Sequence, residues 1–204
     1  QDDVLTEIDQ FNLRAPGLSF SDARLLFQSI SDDDVQLARG KIPRATLGRS
    51  AVQVDFEIMP DDSLKIIATG SVLDMEPFLA NKKKKQKNWR DPNQDNVEPM
   101  KISLRADKVF THGERHMRNA QFYIETDEQG DMTRLEIDST IEGGDYYLRF
   151  KPEKGTGQRT FRLESTDAGA VFRVFDLYDD MRGGSLLIYG LSLIHISEPT
   201  RPTP

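Results

Sequence analysis

"NAQFYIETDEQGDMTRLEIDSTIEGGDYYLRF", residues 119–150, decides the fold class. Ala120, Phe122 and Ile124 alternate with polar neighbours, and "DEQGD" then turns the chain. Leu135, Ile137 and Ile141 follow, opposed by Arg134, Glu136 and Asp138. "EGGD" turns again and "YYLRF" resumes. Strand side chains alternate between two faces with period two. Short Gly/Asp turns between such runs therefore predict consecutive antiparallel strands with one apolar and one charged face. Phe122, Ile124, Leu135 and Ile137 fall on the first face, and Tyr123, Glu125, Arg134 and Glu136 on the second.

The same alternation extends both ways. "KISLRADKVF" puts Ile102, Leu104 and Ala106 on one side, and after "KPEKGTGQ" the run "TFRLES" supplies Phe161 and Leu163. "AVQVDFEIMPDDSLKIIATGSV" reads as a hairpin: Val52, Val54, Phe56 and Ile58 alternate with Gln53, Asp55 and Glu57, and Leu64, Ile66 and Ala68 return after the turn. "TEIDQFNLRA", with Ile8 and Leu13, reads as a strand, and "VQLARGKIPRATLGR" as a strand pair. "LSFSDARLLFQSI" differs: Phe20, Ala23, Phe27 and Ile30 stand at helical spacing with Ser21 or Asp22 available as a cap, which predicts a short helix.

A second break comes at "DAGAVFRVFDLYDDMRGGSL", residues 167–186. Ala168, Val171, Phe172 and Phe175 have the spacing of one helix face, predicting a helix over 167–178 with Thr166 or Asp167 as cap. Phe172 and Phe175 are expected to pack on the sheet. Gly183 and Gly184 allow the positive φ or tight reversal needed to re-enter it as the strand of Leu186 and Ile188.

Composition bounds the rest. The chain has 204 residues, a formal net charge of −7, 37% apolar and 30% charged residues, and no cysteine. Disulfides and thiolate chemistry are excluded, and the acidic balance gives no general pull toward nucleic acid. No apolar run is long enough to span a bilayer as a helix. The chain begins at Gln1 without a visible signal peptide and reads as a piece of a longer one. Four segments result: a β-rich part, 1–80; a Lys/Asn-rich linker, 81–99, expected to stay unpacked; a second β part, 100–190; and 191–204. The last segment, with "LSLIHISEPTR", reads as a translated sequencing adapter and is set aside together with His195.

Residue patterns that could carry chemistry are few. "HGERH" places His112 and His116 four apart around Glu114, but Gly113 follows the first His, so a polar hairpin loop fits better than a zinc-protease helix. "SDDDV", 31–35, lacks the spacing and glycine of a calcium loop. "GTGQR", 155–159, lacks the third glycine and helix of a phosphate turn. There is no Gly-x-Ser-x-Gly elbow. The expectation is a non-enzyme with no catalytic residue, no metal and no cofactor. The apolar face itself remains, and it needs a second sheet, helices or a ligand to cover it.

The stretch "STDAGAVFRVFDLYDDMRGGSLLIYG", 165–190, resembles the AsmA-like C-terminal region of YhdP-type envelope proteins. The shared pattern is a strand end with Asp167, a short helix carrying Phe172 and Phe175, then Arg182, Gly183, Gly184 and a Leu-rich strand. "LRADKVFTHGERHMRNAQFYIETDEQGDMTRLEIDSTI" resembles the family's strand–loop–strand–turn–strand run, and "LDMEPFL" is in character. The likeness extends over 101–190 and more loosely over 4–79, while the Lys-rich insert departs from it.

The resemblance implies a mainly β fold: an antiparallel meander forming a curved, elongated sheet with an apolar inner face and one or two short helices. It implies a bacterial periplasmic protein, held to the inner membrane by an anchor outside this stretch, whose apolar groove carries phospholipid acyl chains toward the outer membrane. Groove candidates are Val54, Phe56, Ile66, Leu104, Phe122, Ile124, Leu135, Ile137, Phe161, Leu163, Leu186 and Ile188. The alternative reading is a closed β-sandwich serving as a structural or protein-interaction module.

Overall fold

The computed structural model describes residues 6–31, 34–77, 98–153 and 158–192. Its described strands are β1 (Glu7–Ala15), β2 (Leu18–Ser31), β3 (Asp34–Leu47), β4 (Ser50–Ile58), β5 (Leu64–Asp74), β6 (Met100–His112), β7 (Arg115–Thr126), β8 (Met132–Ile141), β9 (Gly144–Pro152), β10 (Arg159–Ser165) and β11 (Leu186–Ser192). They form one sheet in sequence order, with β1 and β11 as its open edges. The described strands thus make a single layer rather than two stacked sheets. Among the described residues the helix whose full length is seen is α1 (Ala168–Val174), between β10 and β11.

The antiparallel meander is as the alternation predicts, with one departure. β5 and β6 pair parallel, from Leu64↔Met100 to Asp74↔Phe110. Parallel neighbours require a crossover rather than a hairpin, so β5 and β6 start from the same end of the sheet. Most of the expected Lys/Asn-rich linker, 81–97, lies outside the described residues, as do "GTGQR" up to residue 157 and all of the set-aside tail after Ser192. β11 itself runs on through Leu191 and Ser192, which pair with Thr160 and Arg159.

Two early expectations are corrected. The segment expected as a helix from Phe20 to Ile30 is strand β2. Leu13 pairs with Phe20 but Phe11 with Ala23, so two residues of β1 face three of β2. The extra residue includes Asp22 in the left-handed region, at φ 57°. Such a bulge puts residues three apart on one face, which imitates helical spacing. The expected strand pair around "ARGKIPRATL" is one strand, β3. Ile42 pairs with Val54 and Ala45 with Val52, so Pro43, which has no N–H to donate, sits in a register shift.

At the β8–β9 turn Ile141 pairs with Gly144, and the loop residues Glu142 and Gly143 have φ of 48° and 91°. Two consecutive positive φ values match the right-handed twist of the strands that they join.

α1 lies on β7 and β8. Of the two expected caps, Thr166 and Asp167, it is Asp167 that serves: its side chain accepts from Ala170 N at 2.9 Å. The double glycine completes the capping. Gly184 O accepts from Ala168 N at 2.6 Å, and Gly183 O from Gly169 N at 3.1 Å. The N–H groups that a helix start leaves unpaired are thereby satisfied. Gly183 and Gly184 adopt φ of 62° and 81° to turn their carbonyls that way. At the other end Thr111 donates to Val174 O, and Arg115 to Arg173 O at 2.8 Å. Arg173 in turn pairs with Glu142, drawing the helix to the β8–β9 turn and holding the Glu142 carboxyl below its ordinary range.

The helix is shorter than expected and rotated. Its buried residues are Ala168, Gly169, Ala170, Val171 and Val174. Phe172 is half-buried; Phe175 packs on the core, with its ring 5.8 Å from that of Tyr146. Beneath lie Ala106, Val109, Met117, Ala120, Ile137, Ile141 and Tyr146. Burial pushes the Tyr146 phenol up to about 12. Small side chains at Ala106 and Ala120 leave room for the backbone of so short a helix.

On the far side of the β6–β7 turn, Arg49 donates to Asp74 at 2.8 Å and pairs with Glu76 at 3.0 Å, tying the β3–β4 turn to the end of β5. The Asp74 carboxyl is held below its ordinary value of 3.8, chiefly by the hydrogen bond from Arg49. A depressed folded pKa gives stabilisation that is present above the ordinary value and is lost as pH falls through the depressed one. Asp74→Asn is therefore expected to lower stability at neutral pH, and urea melts in steps below pH 3.8 should show the gap to wild type closing. Ile141, fully buried, should lose about 2–5 kcal/mol on substitution by Ala. Phe172→Ala should lose less than Ile141→Ala in the same denaturant melts, because Phe172 is only half-buried.

Candidate functional site

Register turns the alternating residues into continuous rows. One row crosses nine strands: Gly40, Phe56, Ile66, Ile102, Ile124, Leu135, Phe150, Phe161 and Gly190 are successive cross-strand partners. A second runs beside it through Ile42, Val54, Ala68, Leu104, Phe122, Ile137, Leu148, Leu163 and Ile188. With strands about 4.8 Å apart, eight spacings give rows about 38 Å long. No polar side chain interrupts either row.

Eleven of the twelve groove candidates fall on these two rows, and they lie on one face. Leu186 is the exception. It pairs with Ser165, two positions further toward α1, and packs against the core under the helix. Gly40, Ile42, Ala68, Ile102, Gly190, Leu148 and Phe150 complete the rows without being among the twelve. For the last two, the alternation of "YYLRF" is the signal in the sequence. Of the motif residues, Asp167, Gly183 and Gly184 build the helix start, whereas Arg182 is exposed and donates to the carbonyl of Met181 at 3.0 Å.

The rows are not covered as a core is. Among the described residues the helix sits over one margin of the sheet, and most row side chains stay half-buried, such as Phe56, Ile66, Ile102, Ile124, Leu135, Phe150 and Phe161. Ile188 at the edge is 44% exposed. Gly40 is where the Phe56 ring folds over the backbone: a Cβ at Gly40 would lie 2.1 Å from the ring. The ring thereby fills the gap that the missing side chain leaves.

The opposite face is a charge ladder. Arg39 pairs with Glu57, Lys41 with Asp55 at 3.5 Å, Arg134 with Glu136 at 2.7 Å, Arg149 with Asp138 and Arg162 with Glu164. The Arg134 guanidinium lies 4.8 Å from the Tyr123 ring centre. Solvated pairs of this kind each contribute about 0–1 kcal/mol; their effect is to keep this face wet. Clefts open on it, one of about 420 Å³ along Thr69, Arg105, Gln121 and Tyr123 and one of about 530 Å³ between Tyr147 and Tyr189. Continuity of the apolar rows rests on register and exposure, not on a cavity.

"HGERH" is a hairpin loop, with His112 opposite Arg115 across Gly113 and Glu114. His112 lies 3.6 Å from Asp176, and His116 Nδ1 lies 2.9 Å from Glu114 O. Among the described residues no group of three or more His, Cys, Asp or Glu is placed to hold a metal ion, and no helix is long and apolar enough to cross a membrane.

Comparison of the chain with protein-family models, curated proteins and solved structures finds no match. The likeness to the AsmA-like region therefore rests on the residues quoted for it.

Proposed function

We propose that this chain is a non-catalytic segment of an AsmA-like, YhdP-type periplasmic protein that shields phospholipid acyl chains on their way to the outer membrane. The observation that carries the reading is the pair of unbroken apolar rows, most of whose side chains are only half-buried, on one face of an open sheet. Each CH₂ withdrawn from water is worth about 0.8 kcal/mol, so ten methylenes laid along a row gain about 8 kcal/mol before entropy is counted. A hydrocarbon core of about 30 Å holds two acyl chains end to end, and a row of about 38 Å is of that length. Headgroups remain in water, and no chemical step is needed. In this reading the full-length protein is anchored in the inner membrane by a segment outside this stretch and supports the integrity of the envelope. The Lys-rich segment between β5 and β6 is an insertion relative to the family pattern.

A photo-crosslinking residue at Phe122 or Ile124 should capture phospholipid in bacterial cells, whereas the same probe at Tyr123 or Glu136 should not. Ile124→Asp, at a half-buried row position outside the core cluster, should impair the outer-membrane barrier at protein levels equal to wild type, because an unpaired carboxylate on an apolar surface is costly to desolvate. Equal lipid capture on both faces, or on neither, contradicts the reading; capture of a protein at Phe122 would instead favour an interaction module.

A further inference from the structure

We propose a second site, for an acidic saccharide, on the polar face between β9 and β11. It lies on the side away from the apolar rows and does not rest on the lipid reading. The cleft of about 530 Å³ is lined by Tyr147, Arg149, Lys151, Arg162, Glu164 and Tyr189. That volume falls within the span of about 300–1,000 Å³ usual for small-ligand sites.

The arrangement runs against local stability. Arg149 and Arg162 are direct cross-strand partners, and like charges in that relation repel. Tyr189 is the partner of Arg162 on the other side. Arg149 is balanced: it pairs with Asp138 and Glu136 and donates to the carbonyls of Ile137 and Leu148 at 2.8 and 2.9 Å. Arg162 has Glu164, and Lys151 stands exposed two residues along β9 from Arg149. Beyond the balanced Arg149, two cations thus face one carboxylate, a local positive charge on a chain of −7. On either side an aromatic ring is left in solvent, Tyr147 at 41% and Tyr189 at 64% exposure. Departures from local rules are expected where a surface serves a ligand.

The residue types name the ligand class. Guanidinium and ammonium groups bind carboxylate, phosphate or sulfate, the guanidinium with two parallel hydrogen bonds. Exposed tyrosine rings offer a flat apolar surface with a polar tip, which suits the C–H face of a pyranose. Together they fit a sugar ring carrying an anionic group.

The test is saturation-transfer NMR and calorimetry on the intact chain with tetragalacturonate, neutral maltotetraose and inorganic phosphate. Tetragalacturonate should bind, and Arg162→Gln and Tyr189→Ala should each weaken it by about tenfold or more, the loss of one charge-assisted or stacking contact. Arg105→Gln, on the same face and bonded to Gln121 at 3.1 Å, should leave it unchanged. Circular dichroism checks the fold; Arg162 belongs to an exposed ion pair, so its variant decides if Tyr189→Ala unfolds. Four outcomes each overturn the assignment: no binding of tetragalacturonate, equal binding of maltotetraose, phosphate binding as tight as the tetrasaccharide, or equal loss in Arg105→Gln.

Discussion

Register is the constraint on which the structure depends. Side chains alternate, so a slip of one residue in any strand would move its apolar set to the wet face. From β4 to β11 two rows cross without such a slip, even where the pairing changes from antiparallel to parallel at β5 and β6. Bulges do occur, but toward the strand ends beside the rows, as between Arg118 and Gln121 opposite β8. There they bend the sheet without breaking the rows.

The short helix follows from the same constraint. One margin of the apolar face is closed by α1, whose first turn is capped by Asp167 and by two glycine carbonyls, and whose last carbonyls are taken by Thr111 and Arg115. A helix of seven residues is too short to persist alone. Its stability comes from these caps and from burying Val171 and Val174 over Ile141 and Tyr146. The rest of the apolar face is left without such a cover among the described residues, and the proposed lipid path lies there.

Much of this is legible in the sequence because the signal is local. The alternation in residues 119–150 gives β7, β8 and β9, and Asp167 with Gly183 and Gly184 announces both the helix and the return to the sheet. What is hidden is non-local or imitates another period. A bulge at Asp22 makes Phe20 and Ala23 look like a helix face. The parallel pairing of β5 and β6 joins residues 36 apart, Leu64 and Met100, and nothing in either run states the direction of its partner. The opposed arginines of the second cleft are invisible until β9 and β10 are aligned.

The most direct measurement uses the protein's own isoleucines. Ile66, Ile102 and Ile124 lie half-buried on the apolar rows, whereas Ile67 lies on the polar face, partnered with Asp55 and Ser103 and 41% exposed. Methyl NMR spectra should be recorded with a phospholipid carrying a nitroxide near the end of its acyl chain. The account predicts strong broadening of the Ile66, Ile102 and Ile124 methyls and none beyond background at Ile67. Broadening of Ile67 equal to theirs, or of none of the four, would contradict it.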